Sequence, residues 1–259
     1  MPSKGPRLSD IFEPKSERTD GPVIFSDFDG TIAQLDITDV ILERLADPAW
    51  RGIEEEWVQG RIGSRECLRR QMALVRPFSS ELDALIDSVP IDPYFAEFHR
   101  RMRELEVPFY VVSDGFDYVL RRVLRNCGVN GELLNGSHLF SSSMWIEESK
   151  VVVDFPHWPA PCAHGCATCK PEVIRRVRRG HSPVIFIGDG LSDRFAVEEA
   201  DVVFAKDKLL AYCRQHGLWC RPFSSFGDIE RELQPFLGDA PAADRRRQRG
   251  ARRLALSRT

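Results

Sequence analysis

The segment VIFSDFDGT, Val23 to Thr31, opens on an apolar run and closes on two carboxylates and a glycine. Val23, Ile24 and Phe25 have the unbroken hydrophobicity of a strand covered on both faces. Such a strand delivers Asp27 and Asp29 to its carboxyl end, and Gly30 permits a sharp turn there. Two carboxylates one residue apart can divide one task. The first attacks phosphorus and forms an acyl phosphate. The second protonates the leaving alcohol, then deprotonates the water that cleaves the intermediate. The pentapeptide Asp27-Phe28-Asp29-Gly30-Thr31 also suits a plain strand-end turn with two solvated acids, so the discrimination rests on the rest of the chain.

Three further runs repeat the pattern. Pro108-Phe109-Tyr110-Val111-Val112 leads to Ser113-Asp114-Gly115, and Pro183-Val184-Ile185-Phe186-Ile187 leads to Gly188-Asp189-Gly190. Asp201-Val202-Val203-Phe204 leads to Ala205-Lys206. Helical stretches separate them: Tyr118, Val119, Val123 and Leu124 share a face, Pro171 suits a helix start, and Ser192 and Asp193 can begin another. The pattern predicts an α/β fold with a parallel sheet, whose ligands lie outside the carboxyl ends of the strands. The acidic residues fall at that edge.

Between the first two runs, apolar residues recur at helical spacing: Ile41, Leu42 and Leu45, then Leu68, Met72 and Leu74, then Leu82, Leu85 and Ile86, then Phe95, Phe98 and Met102. They predict an inserted helical bundle. A second insertion, about Leu133 to Cys169, reads as a hairpin with loops. The expected organisation is a flexible N-terminal extension over 1–21, a core over 22–35 and 107–237, a helical insertion over 36–106, and a basic flexible tail over 238–259.

Phosphoryl transfer requires neutralisation of charge on the equatorial oxygens. Asp189, with Gly190 and Asp193 after it, can supply a Mg²⁺ ligand opposite Asp27, since that ion takes hard oxygen donors and retains water. Ser113 offers a hydroxyl and an N–H to a phosphate oxygen, and Asp114 comes next in the chain. Lys170 offers a fixed positive charge at a helix start that suits an anion. Singly, Ser113 and Lys170 are ordinary structural or solvated residues. Only their order and spacing with both acidic motifs distinguish them.

That order resembles the four-motif pattern of the haloacid dehalogenase superfamily, over about Pro22 to Leu237. The resemblance implies a Rossmann-like parallel core with an inserted helical cap, Asp27 as nucleophile and Asp29 as general acid and base. It implies Mg²⁺ held by the Asp27 carboxylate, the Asp29 backbone carbonyl and Asp189. Ser113, Asp114 and Lys170 would bind phosphate, and Asp193 would support Lys170 or the metal. An insertion between the first two motifs is similar to the cap of the phosphoserine phosphatase-like branch. Within it, Pro108 to Asp117 (PFYVVSDGFD), His157 to Pro171 (HWPAPCAHGCATCKP) and Phe204 to Cys213 (FAKDKLLAYC) resemble the phosphatases of methionine salvage. Asp114-Gly115 departs from the Gly-Gly common there. Alignment with phosphoserine phosphatases sets Gln71 at the position of their carboxylate-binding arginine and Asp36 at that of their substrate-binding glutamate. A glutamine cannot replace a bidentate, charged partner of a carboxylate. The expected partner is thus a small phosphorylated metabolite that is not an amino acid, with phosphoserine or a phosphorylated amino alcohol as the alternative. A phosphate-sensing module that has lost turnover is a third reading, which the complete set of acids and Lys170 disfavours.

Cys162-x3-Cys166-x2-Cys169, with His157 and His164 nearby, has two readings: a Zn²⁺ site, or a reduced loop shaping the mouth of the site. Cys67, Cys127, Cys213 and Cys220 have apolar neighbours and read as small core residues.

Composition excludes much else. Of 259 residues, 42% are hydrophobic and 29% charged, with a formal net charge of -3, which signals neither a nucleic-acid nor a membrane binder. No apolar run approaches the ~20 residues of a membrane span. Met1 to Gly21 lacks the apolar core of a secretory signal. Seven cysteines, an odd number in a chain of this length, suit a reduced cytoplasmic protein. From Asp244 to Thr259, seven arginines stand against one aspartate, a net +6 that reads as a solvated tail or an arm for an anionic partner. Oligomeric state is left open.

Overall fold

The computed structural model describes residues 8, 11, 21–76, 79–129, 131–159 and 162–237. The basic tail and nearly all of the N-terminal extension lie outside these. Leu8 and Ile11 of the extension are described and buried against the main core.

Strand β1 (Val23–Ser26) is buried at all four positions and sits inside the sheet, as its continuous apolar run requires. It pairs in parallel with β2 (Phe109–Phe116) on one side and β5 (Val184–Gly188) on the other. With β3 (Leu139–Glu147), β4 (Lys150–Asp154), β6 (Val202–Ala205) and β7 (Arg221–Pro222), the order is β4-β3-β2-β1-β5-β6-β7. All pairs are parallel except β3 with β4. The chain leaves β1 toward β2 and returns on the far side at β5. The crevice at this reversal is where such sheets bind ligands, and Asp27 is the first residue past β1.

Both sheet faces are apolar, which explains the lack of alternation. Ile24, Ile185, Ile187, Val202 and Phe204 face one core. Val23, Phe25, Val184, Phe186 and Val203 face the other. The expected hairpin exists over β3 and β4, but β3 does more. Its first half pairs in parallel with β2 through Leu139, Phe140 and Ser142, so the strand belongs to the core sheet. Buried Ser141 and Ser142 interrupt its apolar run and hid it from pattern reading.

The helical insertion comprises α1 (Ile37–Leu45), α2 (Trp50–Val58), α3 (Ser64–Met72), α4 (Ser79–Asp87) and α5 (Phe95–Glu104). Helix α5 buries Phe95 and Phe98 against Phe109 of β2 and against Phe226 of α10 (Phe226–Leu237), so it covers the sheet. Helices α2 and α3 pack on each other and line the site. Helices α6 (Asp117–Asn126), α7 (Glu132–Asn135), α8 (Lys170–Arg178) and α9 (Asp207–Gln215) complete the fold, with Pro171 in the first turn of α8. After β5 the chain forms two short 3-10 turns, Leu191–Phe195 and Val197–Glu199, in place of the expected helix, and in the first Asp193 is drawn back toward the strand end. Among the described residues, no helix is long and apolar enough to cross a membrane.

Candidate active site

Asp27 is fixed by the sheet: its N–H donates to the Ile187 carbonyl at 2.8 Å. Lys170, the first residue of α8, is 2% exposed. Its Nζ lies 2.8 Å from Asp27 Oδ1 and 2.5 Å from Asp193 Oδ1. The second Asp193 oxygen accepts the N–H groups of Asp189 at 3.1 Å and Gly190 at 3.0 Å. One ammonium therefore stands between two buried carboxylates, and Asp193 ties it to the loop that carries Asp189.

The turn after β1 aims the remaining acids. Gly30 has φ +72°, and a Cβ there would meet Asp189 Oδ2 at 2.2 Å, so only glycine fits. Thr31 donates its hydroxyl to Asp189 Oδ1 at 2.8 Å. Asp29 Oδ1 accepts the Ile37 N–H at 3.0 Å, and Ser113 Oγ lies 3.4 Å from Asp29 Oδ2. Ser113 Oγ itself accepts the Gly115 N–H at 2.9 Å.

Burial dominates the electrostatics. It raises the Asp27 carboxyl well above the usual range, with Asp193 adding repulsion and Lys170 opposing. Burial and then Asp36 lift Asp29 to about 8. Burial and then Asp193 lift Asp189 to about 6. Burial alone would lower the Lys170 ammonium, but Asp193, Asp27 and Asp114 together hold it above its ordinary value.

These acids fit a divalent cation. Oxygens of Asp27, Asp189 and Asp193 lie within 4.8 Å of one another. Both Asp193 oxygens already have partners, so Asp27 and Asp189 are the pair with ligand capacity. Hard oxygen donors that repel one another in a buried crevice are the donor set Mg²⁺ prefers.

Asp114 takes a different position. Its Oδ1 accepts the Thr168 N–H at 2.8 Å, the Ser64 hydroxyl also bonds to it, and burial raises its pKa. With its carboxylate so engaged, Asp114 can offer phosphate its backbone N–H. Asp36 caps α1, accepting the Asp39 N–H at 3.1 Å. Gln71 is 2% exposed and donates Nε2 to Glu54 Oε2 at 2.9 Å. Asp27, Asp29, Asp36, Gln71, Ser113, Asp114 and Asp189, all singled out in the sequence, line one cavity of 640 Å³. Sequence reading assigned no role to Glu54, Trp57 and Ser64 on the inserted helices, or to Lys206 and Lys208 beyond β6. Glu54, Trp57 and Ser64 had nothing in their local pattern to single them out, and Lys206 and Lys208 stood only within the quoted stretch Phe204 to Cys213. Thr31 was legible within the pentapeptide, but its bond to Asp189 was not. Cys162, Cys166 and Cys169 converge beside this site with their Sγ atoms within 4.8 Å of one another. A second cavity of 810 Å³, lined by His99, Tyr110 and His138, lies at Pro108 and Phe109, the opposite strand end.

Comparison with known proteins places this arrangement. The model of the haloacid dehalogenase-like hydrolases matches residues 24–198. A 2-hydroxy-3-keto-5-methylthiopentenyl-1-phosphate phosphatase of Geobacillus kaustophilus (strain HTA426) is 30% identical over 216 residues, spanning 82% of this chain and 95% of the relative. The protein of that name from Bacillus cereus (strain ATCC 10987 / NRS 248) is 31% identical over 226 residues, spanning 83% and 96%. Among solved structures, a substrate-bound phosphoserine phosphatase complex superposes with TM-score 0.61 at 16% identity, covering 85% of this chain and 100% of that one. A haloacid dehalogenase family hydrolase from Salmonella enterica subsp. enterica serovar Typhi gives TM-score 0.63 at 18% identity, covering 86% and 72%. At such identities the structures speak to the fold alone.

Proposed function

The chain belongs to the haloacid dehalogenase-like hydrolase family and is a phosphoric monoester hydrolase, and from that premise we propose that it hydrolyses a small phosphorylated metabolite through an aspartyl phosphate on Asp27. The observation that carries this is the buried grouping of Asp27, Lys170, Asp193 and Asp189 at the carboxyl end of β1. Lys170 and the Ser113 hydroxyl bind the phosphate oxygens, with the N–H of Asp114. An Asp27 oxygen attacks phosphorus as the alcohol leaves. Asp29, held up to about 8, is protonated at neutral pH and donates that proton to the leaving oxygen. Now a carboxylate, Asp29 takes a proton from water, which attacks phosphorus and frees Asp27. Asp27, Asp189 and the Asp29 carbonyl hold Mg²⁺, which when bound neutralises charge on the phosphoryl oxygens. Thr31 orients Asp189, and Asp193 positions Lys170. Helices α2 and α3 act as the cap that screens the reaction from water. The seven cysteines are free thiols, the state a reducing compartment maintains, and a cytoplasmic location belongs to this reading.

Magnesium binding should depend on pH. Asp189 and Asp29 titrate in the folded chain near 6 and 8, above the ordinary 3.8. The folded state then holds more protons than the unfolded one, and stability falls as pH rises through both values. A cation that needs the ionised Asp189 carboxylate offsets the part of that loss that belongs to Asp189. The gain in Tm on adding MgCl2 should be larger at about pH 8 than at about pH 5. Equal gains in scanning calorimetry, or an unchanged gain in Asp189→Ala, would remove Asp189 as a ligand.

For the substrate we propose 2-hydroxy-3-keto-5-methylthiopentenyl-1-phosphate, named for the relatives above. Its non-reacting part is neutral and largely apolar, and Trp57 and Leu68 line the cavity under the inserted helices. Phosphoserine needs charged partners for an ammonium and a carboxylate. Gln71 is neutral and spent on Glu54. The methylthio substrate should exceed phosphoserine in kcat/KM by at least ~100-fold, roughly 2.7 kcal/mol of transition-state discrimination. Comparable efficiencies would refute the substrate and leave the chemistry standing. An arginine introduced by Gln71→Arg would meet Glu54 first and be neutralised there. One observation favours a second reading: Asp36, Asp39 and Glu54 line the same cavity and suit an ammonium. A phosphorylated amino alcohol belongs in the panel, and its turnover at the highest efficiency would select that reading.

A further inference from the structure

The three cysteines beside Lys170 hold their sulfurs together without forming a disulfide. Cys162 and Gly165 bracket a tight turn, with the Gly165 N–H donating to the Cys162 carbonyl at 3.4 Å. Gly165 has φ +63°, the left-handed conformation that folds the chain back so that Cys166 and Cys169 return toward Cys162. We propose that Cys162, Cys166 and Cys169 form a zinc site, with three thiolates on the ion and water at the fourth position.

The geometry is close to what the ion needs. Zinc–sulfur bonds of about 2.3 Å in a tetrahedron set sulfurs about 3.8 Å apart. Sulfurs already within 4.8 Å reach that by a contraction of about 1 Å or less. Cys169 is the N-cap of α8, at the positive end of a nine-residue helix. Arg65 lies over the Trp158 ring at 3.4 Å, and Arg69 over Phe155 at 5.5 Å, so cations flank the loop. His164 stacks on Phe195 and His157 packs its edge on Phe140, so the imidazoles are engaged elsewhere.

A second observation is independent of the sulfurs. Among the described residues, two buried side-chain polar atoms lack a hydrogen-bond partner: Trp158 Nε1 and Thr168 Oγ1. Both belong to this same loop segment. Buried polar groups are ordinarily satisfied, so two orphans in one segment mark a place where the protein itself supplies no partner.

The site has an evident use. Thr168 and Cys169 lead directly into Lys170. On its other side the loop docks on α3: the Arg65 N–H donates to the Gly165 carbonyl at 3.1 Å, and the Ala167 N–H to Ser64 Oγ at 3.0 Å. A Cβ on Gly63 would strike the Gly165 carbonyl oxygen at 2.5 Å. A bound ion would make a rigid corner of a loop that joins the catalytic lysine to the inserted helices.

The test uses the intact chain, purified without added chelator. Elemental analysis should give about one zinc per chain. Asp189→Ala should retain it, because an ion at the aspartates would be lost there. Cys162→Ser, the substitution at the most exposed of the three, should drop the content at least ~10-fold and lower Tm by about 5 °C or more. Cobalt added to the metal-free wild type should develop intense thiolate-to-metal absorption near the ultraviolet, a readout that requires no variant. Metal-free protein with no cobalt–thiolate band overturns the proposal. So does zinc that persists in Cys162→Ser or disappears in Asp189→Ala, or a disulfide among the three cysteines in protein prepared under reductant. Because these measurements ignore turnover, an inactive phosphatase and an empty cysteine site remain separate results.

Discussion

Asp27→Asn should lower kcat by a factor on the order of 10⁴ or more, because loss of a covalent nucleophile removes the reaction path itself. Asparagine keeps the shape and loses the attacking charge. The fold should survive. Asp27 sits among Asp193 and Asp189 with only Lys170 to compensate, and burial already disfavours its ionised form. Removing that charge leaves Lys170 with Asp193 at 2.5 Å, so Tm should be no lower than in the wild type. Acid quenching of wild type during turnover should trap phosphate on the peptide containing Asp27, and the variant should trap none. Substantial residual hydrolysis in Asp27→Asn would mean that water attacks phosphorus directly, which would sink the covalent mechanism.

Lys170→Met should damage stability and catalysis together. The ammonium is 2% exposed and lies between two carboxylates that are themselves nearly inaccessible. Deleting one member of a buried ion cluster leaves the others uncompensated, at a cost of about 3–5 kcal/mol. The cost should depend on pH with a definite sign. Protonation relieves the stranded Asp27, so the loss should be small at about pH 5 and large at about pH 8. In kcat/KM the substitution removes a fixed charge from the phosphoryl oxygens, worth about 10³-fold. Urea unfolding at both pH values and steady-state kinetics measure the two effects. A stability loss that does not vary with pH would show that Lys170 acts through packing and not through charge.

The catalytic edge is legible in the sequence because its logic is local. A run such as Val23-Ile24-Phe25 can only be a strand covered on both faces, and the next residues must then emerge at its end. Asp27, Ser113 and Asp189 each come after such a run, and Lys170 stands beside Pro171 at a helix start. The pairing of strand β3 with β2 escaped because its covered positions include Ser141 and Ser142, and Ser142 donates to the distant Asp114 carbonyl. Helix α5 was legible as a helix, but its place against Phe109 and Phe226 was not. An amphipathic pattern states that a face is buried and leaves open which element covers it.

Residue order and hydrophobic period thus determined the parallel α/β core and the set of acids at its carboxyl edge, since each depends only on a strand and the few residues just beyond its end. Tertiary structure decided which of those acids share a lysine and which stand close enough to take an ion together. The Lys170 bridge from Asp27 to Asp193, the Thr31 bond to Asp189, the capture of Gln71 by Glu54 and the docking of the cysteine loop on Ser64 all join segments far apart in the chain. Burial and mutual repulsion at those junctions raise the carboxyl pKa values, and both exist only once the chain has folded.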